Sequence, residues 1–155
     1  REFTDVDVAA VARHAMETVL PESSRCGITV SLKNGKPVVM RADRGEIEII
    51  LNNLVSNAVK YNRDNGTVDI SIEDNADRIK ISVADTGIGM TAGDASRLFN
   101  DFVRIKNEQT KHILGSGLGL STVKKIALLY NGDVTVRSEL DVGSTFEVVL
   151  MKSAT

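Results

Sequence analysis

The chain has 155 residues, of which 42% are hydrophobic and 26% are charged, so it carries enough apolar side chains for one sizeable core. Its formal net charge of -2 excludes the broad basic surface on which nucleic-acid-binding proteins depend. No apolar run approaches the roughly 20 residues that cross a bilayer, and a lone cysteine, Cys26, excludes an internal disulfide. We expect a single cytoplasmic domain over residues 1–155 that contacts neither nucleic acid nor membrane.

The first part of the chain predicts a helix followed by two short strands. Apolar positions within residues 8–19 recur at the helical period, so we predict an amphipathic helix that ends near Pro21. Short apolar runs at 28–32 and 37–40 are separated by Asn34-Gly35, a dipeptide that favours tight turns. We therefore predict that these two runs pair as a β-hairpin.

A second helix is predicted between Asp43 and Tyr61. Asp43, with Glu46 three residues later, has the spacing of a capping box at a helix start. Since apolar residues then follow the helical period, this helix must pack against a core. The apolar stripe consists of Ile47, Ile50, Leu51, Leu54 and Ala58.

Polar side chains border this stripe. Asn53, Asn57 and Lys60 fall on one side of the helix, with Tyr61 nearer to the core edge. A carboxamide offers oxygen to a hard cation such as Mg²⁺, and a lysine offers a point charge to phosphate. A solvated flank with locally hydrogen-bonded asparagines explains the same residues about equally well, so this helix alone does not decide the function.

A hairpin and a glycine-containing turn follow the second helix. Alternating apolar residues at 68–72 and 79–83 predict two antiparallel strands, each with one buried face. Asp85 comes directly after the second strand, where its carboxylate could accept a hydrogen bond from a ligand amine. Gly87 and Gly89 leave the backbone open to a flat ring, although Asp-Thr-Gly is also ordinary turn chemistry.

The last third of the chain predicts a loop, a helix and two strands. Residues 104–111 are polar and aperiodic, so we predict a mobile loop, whereas the glycine cluster at 115–120 runs straight into a helix whose N-terminus could hold an anion. The glycine spacing matches neither the dinucleotide fingerprint nor the P-loop. With strands at 134–136 and 145–150, the order predicts a two-layer α+β sandwich: a mixed, mostly antiparallel sheet of about five strands with about three helices on one face.

Five segments, in this order, resemble the catalytic and ATP-binding domain of histidine kinases, which has the Bergerat-type ATP-binding fold. Each segment is short, but five in register make the resemblance specific, and it covers nearly the whole chain. The segments are 53–61, similar to the family's N box, 85–89, similar to its G1 box, 98–102, similar to its F box, 115–120, similar to its G2 box, and 143–146, similar to its closing strand motif.

The resemblance implies roles for side chains in the first two segments. Asn57 would hold Mg²⁺, and Asn53 and Lys60 would contact the phosphates of ATP. Tyr61 would line the nucleotide pocket, and Asp85 would bind the adenine amine.

The resemblance also implies an ATP lid over about 102–115. Arg104, within this lid, could reach the phosphates and act with Asn53 and Lys60 in catalysis, although an exposed lid charge without a catalytic role is equally compatible. The remaining residues expected to contact ATP are Gly87, Gly89, Met90, Phe102, Gly115, Ser116, Gly117, Leu118, Gly119, Leu120 and Thr145.

The residue at position 53 distinguishes ATP hydrolysis from phosphoryl transfer among the proteins that this chain resembles. ATP-hydrolysing relatives carry a glutamate as general base at this position, and a carboxamide cannot take a proton from water. The resemblance therefore implies a protein histidine kinase of a two-component system, which transfers the γ-phosphoryl group of ATP to a histidine. The alternative is a regulatory nucleotide-binding module, either an anti-sigma-type serine kinase or a pseudokinase.

Neither histidine of the chain fits the phospho-acceptor. His14 is followed by alanine instead of the family's acidic residue, and His112 falls in the expected lid. Because the chain begins at Arg1, we expect a longer parent, with or without a membrane anchor, whose helical dimerisation and phospho-acceptor domain supplies the histidine. The resemblance implies a response-regulator receiver domain as the second partner, and a monomeric isolated chain.

Overall fold

The computed structural model describes residues 1–33, 35–91 and 119–152. These residues contain ten helices and strands. In chain order they are β1 (Phe3–Asp7), α1 (Val8–Arg25), β2 (Thr29–Leu32), β3 (Val39–Asp43), α2 (Arg44–Lys60), β4 (Thr67–Asp74), β5 (Arg78–Asp85), α3 (Gly119–Leu129), β6 (Asp133–Glu139) and β7 (Gly143–Met151). None of the helices in these residues combines the length and apolar character needed to span a bilayer.

The main sheet has five strands in the order β2-β4-β5-β7-β6. Strand β2 is parallel to β4, and the other neighbours are antiparallel. The predicted hairpin of β4 and β5 is confirmed, with Ile70 opposite Val83, and both residues are buried because alternate side chains face the helices. A layer of helices covers that face, so the predicted fold class is confirmed.

The predicted hairpin of residues 28–32 and 37–40 is wrong. Strand β2 instead joins the five-stranded sheet beside β4, whereas β3 pairs with β1, a strand that the periodicity did not reveal. Val6 lies opposite Met40 in this small second sheet, and the Val8 N–H donates to the Val38 carbonyl. Gly35 has a φ of +61°, and Asn34 lies outside the described residues. The segment between β2 and β3 therefore connects two different sheets, although its sequence is typical of a turn between two paired strands.

The first helix continues past its predicted end at Pro21 to Arg25. Proline removes one helical hydrogen bond because it has no backbone N–H. The following turn still forms, since the Cys26 N–H donates to the Glu22 carbonyl at 3.1 Å.

The start of α2 is capped as predicted, but a distant residue completes the cap. Oδ1 of Asp43 accepts from the Glu46 N–H at 3.1 Å, while the Asp43 N–H donates to the Tyr130 hydroxyl at 3.0 Å. That hydroxyl donates to Oε1 of Glu46 at 2.6 Å, and Tyr130 is only 1% exposed. The residue that follows α3 is thereby fixed to the first turn of α2, which sets how these two helices meet.

Candidate functional site

A half-buried carboxylate lies at the end of β5. Oδ1 of Asp85 accepts the Gly87 N–H at 2.8 Å and the Ser144 N–H at 3.3 Å. Burial raises the pKa of the Asp85 carboxyl to about 6, although the two N–H groups oppose the rise. Oδ2 accepts no hydrogen bond from the described residues. One oxygen is thus held by the protein, and the other is available to a donor on a ligand.

The loop after Asp85 lies tightly against the chain's own backbone. A β-carbon at Gly87 would collide with the Tyr61 carbonyl oxygen, which also accepts the Ile88 N–H at 3.0 Å. Gly89 has a φ of +65°, and a β-carbon there would collide with the Glu139 carbonyl oxygen. The sequence suggested that these glycines admit a flat ring. In the structure, the missing side chain of Gly87 allows close contact with the end of α2, and that of Gly89 allows close contact with the β6–β7 turn.

The end of this loop is bound to β6 by a serine that the sequence did not single out. The Met90 N–H donates to Oγ of Ser138 at 2.8 Å, and this oxygen lies 2.8 Å from Oγ of Ser144. Met90 is buried. Serine hydroxyls within strands have no distinctive sequence signal, because their partners depend on strand pairing.

The polar flank of α2 meets the start of α3. Nδ2 of Asn53 donates to the Ile49 carbonyl at 2.7 Å, and a β-carbon at Gly119 would collide with Oδ1 of Asn53. Asn57 is half-buried, and its side chain makes no hydrogen bond within the described part of the chain. Lys60 is exposed, one turn further along. The structure thus brings the first residue of the predicted N box against a glycine of the predicted G2 box.

A cleft of about 440 Å³ is lined by residues of α1 and α2. Asn53 and Lys60 line it, whereas Asn57, Tyr61 and Asp85 do not. The residues predicted to contact phosphate and those predicted to contact adenine therefore do not share this cleft. The other lining residues are Thr18, Val19, Glu22, Asn52, Ser56 and Val59.

The register of β7 shows on which face of the sheet Thr145 lies, and its contact with ATP stays a prediction. Buried residues alternate along β7 at Ser144, Phe146 and Val148, so Thr145 belongs to the opposite face of the sheet from Asp85. The neighbour of Asp85 is Ser144, through its backbone N–H. Ser144, which the sequence did not single out, is therefore the β7 residue beside Asp85.

Several predicted residues fall in a part of the chain that is not described. The expected lid over about 102–115 lies outside the described residues, together with Phe102, Arg104, Gly115, Ser116, Gly117 and Leu118. The glycine cluster is described only from Gly119, where α3 begins, and the adjoining Leu120 contacts the hydrophobic core.

Arg63 is a second residue that sequence reasoning missed. Its guanidinium donates to three backbone carbonyls, those of Thr86, Gly87 and Asp141. These contacts join the loop after Asp85 to the β6–β7 turn. Arg63 lies between two predicted boxes in a polar segment, where no local pattern marks it.

Comparisons with known proteins give one consistent family. Residues 42–154 match the family model described as histidine kinase-, DNA gyrase B-, and HSP90-like ATPase. The sensor-like histidine kinase SenX3 of Mycolicibacterium smegmatis is 36% identical over 137 residues, which cover 88% of this chain and 34% of that relative. The chain thus spans about a third of the length of this curated relative.

Two solved structures are similar to nearly the whole chain. The nucleotide-free catalytic domain of the histidine kinase ThkA has a TM-score of 0.83 and 25% sequence identity, and the match covers 98% of this chain and 99% of that one. Full-length ShkA in complex with AMPPNP has a TM-score of 0.84 and 29% identity, and the match covers 97% of this chain and 31% of ShkA.

Proposed function

This chain belongs to the histidine kinase-, DNA gyrase B-, and HSP90-like ATPase family as the ATP-binding catalytic domain of a sensor histidine kinase, and we propose that it transfers the γ-phosphoryl group of ATP to a histidine on a separate helical domain. The contact of Asn53 with Gly119 carries the proposal, because it unites the polar flank of α2 with the glycine cluster that opens α3. Phosphates held by the N-terminus of α3 would then face Asn53.

The residues near Asn53 favour transfer over hydrolysis. A carboxamide cannot accept the proton that an attacking water must lose. The two glutamates nearer to the start of α2 are engaged elsewhere, since Glu46 binds Tyr130 and Glu48 lies 4.0 Å from Arg44. Glu22, which lines the cleft with Asn53, pairs with Arg25. Each of these three glutamates thus has a partner other than water, and a nucleophile from another domain would have to bring its own proton acceptor.

We assign the adenine end of the nucleotide to Asp85. Its Oδ2 is available to the exocyclic amine, while Oδ1 is held by Gly87 and Ser144. Buried Met90 would form the apolar wall beside the ring, and Tyr61 would line the pocket at the end of α2. AMPPNP bound to ShkA is a triphosphate analogue of the ligand proposed here.

We assign Mg²⁺ to Asn57, together with the phosphates of ATP. No group of three or more histidine, cysteine, aspartate or glutamate side chains that could hold a metal occurs in residues 1–33, 35–91 and 119–152. A single carboxamide still fits Mg²⁺, which takes few protein ligands and completes its shell with nucleotide oxygens and water. The side chain of Asn57 suits this role because it makes no competing hydrogen bond to any described residue. When bound, Mg²⁺ would neutralise charge on the phosphates.

We propose residues 1–155 as one catalytic domain, with the ATP lid over about 102–115. Within that stretch, Phe102 and Arg104 would contact the nucleotide, and residues 115–118 would complete the phosphate cradle that Gly119 begins. The partners would be a helical dimerisation and phospho-acceptor domain and a response-regulator receiver domain. The greater length of the kinase relatives supports domains outside this chain.

Replacing Asn57 by alanine is expected to reduce the strengthening of ATP binding by Mg²⁺ by about tenfold, since one oxygen ligand contributes about 1.4 kcal/mol. Calorimetric titration with an ATP analogue, with and without Mg²⁺, measures this effect. Asn75→Ala is the matched control, because Asn75 is an exposed asparagine in the turn between β4 and β5, at the opposite end of β5 from Asp85. An unchanged dependence on Mg²⁺ in Asn57→Ala would remove Asn57 as the metal ligand.

Phosphoryl transfer is tested by mixing the chain with the helical phospho-acceptor domain of its parent and γ-labelled ATP. The expected product is an acid-labile, base-stable phosphohistidine, and little inorganic phosphate should be released by the chain alone. Replacing the acceptor histidine by glutamine should abolish labelling. Acid-stable label on serine would identify the regulatory kinase alternative, and ATP binding without any transfer would identify a pseudokinase.

A further inference from the structure

Arg63 holds the loop that follows Asp85 by three hydrogen bonds to backbone carbonyls, an arrangement called here the Arg63 clasp. Its Nε donates to the Thr86 carbonyl at 2.7 Å, and its Nη2 donates to the carbonyls of Gly87 at 2.9 Å and Asp141 at 2.6 Å. Arginine suits this arrangement because its planar fork can bind several acceptors at once. No carboxylate among the described residues forms an ion pair with Arg63, so its positive charge is directed at backbone dipoles.

One of these carbonyls connects Arg63 to Asp85 through a single peptide group. The carbonyl of Thr86 and the N–H of Gly87 belong to the same peptide, and that N–H donates to Oδ1 of Asp85 at 2.8 Å. A charged donor on the carbonyl polarises the peptide and strengthens its N–H as a donor, because hydrogen bonds in a chain reinforce one another. The cation of Arg63 thereby acts on a carboxylate that it does not touch.

Other charged groups do not take this role within the described residues. Strand β4 places Val68 opposite Asp85, and β7 places Ser144 there, neither of which titrates. The β6–β7 turn approaches the loop through the backbones of Glu139 and Asp141. At the end of α2 the titratable neighbours are Lys60 and Tyr61. By alternation, Asp69 and Glu73 of β4 and Glu147 of β7 belong to the outer face, whereas Asp74 lies at the opposite end of β4 from Val68.

We propose that Arg63 is a positioning residue for the nucleotide site: by clasping the Thr86–Gly87 peptide it keeps the Asp85 carboxylate ionised and oriented toward the ligand. The consequence for ligand binding rests on the proposed binding of adenine by Asp85. Without the clasp, the Gly87 N–H becomes a weaker donor, and it is one of the two groups that offset the desolvation of the carboxylate. Burial already raises the pKa of Asp85 to about 6, so a small further rise reaches the neutral range.

The test is a carboxyl-carbon NMR titration of Asp85 in the nucleotide-free chain. Arg63→Gln removes the charge and the fork, and Arg63→Lys keeps the charge but lacks the planar fork that binds carbonyls of two separate segments. Arg137→Gln is the matched control, because Arg137 is an exposed arginine that pairs with Glu147 on the outer face of the sheet. We expect a higher pKa of Asp85 in Arg63→Gln, a smaller rise in Arg63→Lys, and no change in the control.

ATP affinity should follow the titration of Asp85. Relative to the wild-type chain, Arg63→Gln should bind ATP about fivefold more weakly at pH 6 but less than about twofold more weakly at pH 8. A merely structural clasp would weaken binding equally at both pH values. That result, or an unmoved titration of Asp85 in folded Arg63→Gln, would overturn the proposal.

If Arg63→Gln does not fold, the pKa of Asp85 in Arg63→Lys tests the proposal. A rise in the pKa of Asp85 in that variant would support the proposal, and an unchanged pKa would reject it. Because the titration uses no nucleotide, it is independent of the proposed function. Failure of the wild-type chain to bind ATP would contradict the adenine assignment of Asp85, while the link between Arg63 and Asp85 would still be decided by the NMR result.

Discussion

Asp85→Asn is expected to lower the affinity of the chain for ATP by about 50-fold. A hydrogen bond to a charged partner contributes about 1.5–3 kcal/mol, and each 1.4 kcal/mol is a factor of ten in affinity. The amide cannot compensate by rotating. Gly87 and Ser144 both direct N–H groups at the position of Oδ1, so the amide oxygen must occupy that position. The NH₂ group then faces the adenine amine, donor against donor.

Calorimetry with an ATP analogue at pH 7 measures this loss of affinity. Asp69→Asn provides the matched control, because Asp69 lies exposed on the neighbouring strand β4 and accepts from the Ser31 hydroxyl. Its affinity for ATP should equal that of the wild-type chain. Near-normal binding by Asp85→Asn would show that adenine does not depend on this carboxylate.

Asp85→Asn should remain folded, because the ionised carboxylate that it removes destabilises the folded chain at neutral pH. The folded pKa of Asp85 is raised from the ordinary 3.8 to about 6, so the ionised form is disfavoured in the folded state. The carboxylate therefore destabilises the wild-type chain above about pH 6, by up to about 3 kcal/mol, and this cost disappears as the pH falls below about 4. Urea denaturation should find Asp85→Asn at least as stable as wild type at pH 7, with a smaller difference at pH 4.

Gly89→Ala is expected to destabilise the chain by about 4 kcal/mol. A positive φ costs an L-residue about 1–2 kcal/mol, and here the added methyl group also collides with the Glu139 carbonyl. Relief would require the loop to separate from the β6–β7 turn, with loss of the Met90–Ser138 hydrogen bond. Equilibrium urea denaturation measures the free energy of unfolding directly.

Gly35→Ala separates the two causes of this loss. Gly35 has nearly the same φ, +61°, but apart from its chain neighbours no heavy atom of the described residues lies within 4 Å of the position that its β-carbon would take. It should therefore cost only about 1 kcal/mol, the backbone contribution alone. Equal losses in the two variants would show that the close approach at Gly89 contributes nothing to stability.

The sequence by itself determined the features that depend on neighbouring residues. The helical periods, the cap at Asp43 and the β4–β5 hairpin are local patterns, and the structure confirms each one. The order of the glycine and asparagine motifs indicated the family, which the family model confirms over residues 42–154. These motifs are readable because their spacing along the chain reflects turns and helix starts.

Only the tertiary structure decided which segments meet. Strands β2 and β3 have similar short apolar patterns, yet they join different sheets, because strand pairing depends on partners distant in sequence. The face of the sheet on which Thr145 lies follows from its register with Ala84. Whether Asn57 binds Mg²⁺ remains a prediction, since that contact depends on a ligand.

The surroundings of Asp85 show the same division. Its place after a buried strand was evident from the sequence, but two of the groups that control its charge come from distant parts of the chain. Ser144 is 59 residues away, and Arg63 acts through the Thr86–Gly87 peptide. No local pattern could reveal these contacts, because the pKa of a carboxyl depends on burial and on the dipoles and charges that folding brings around it.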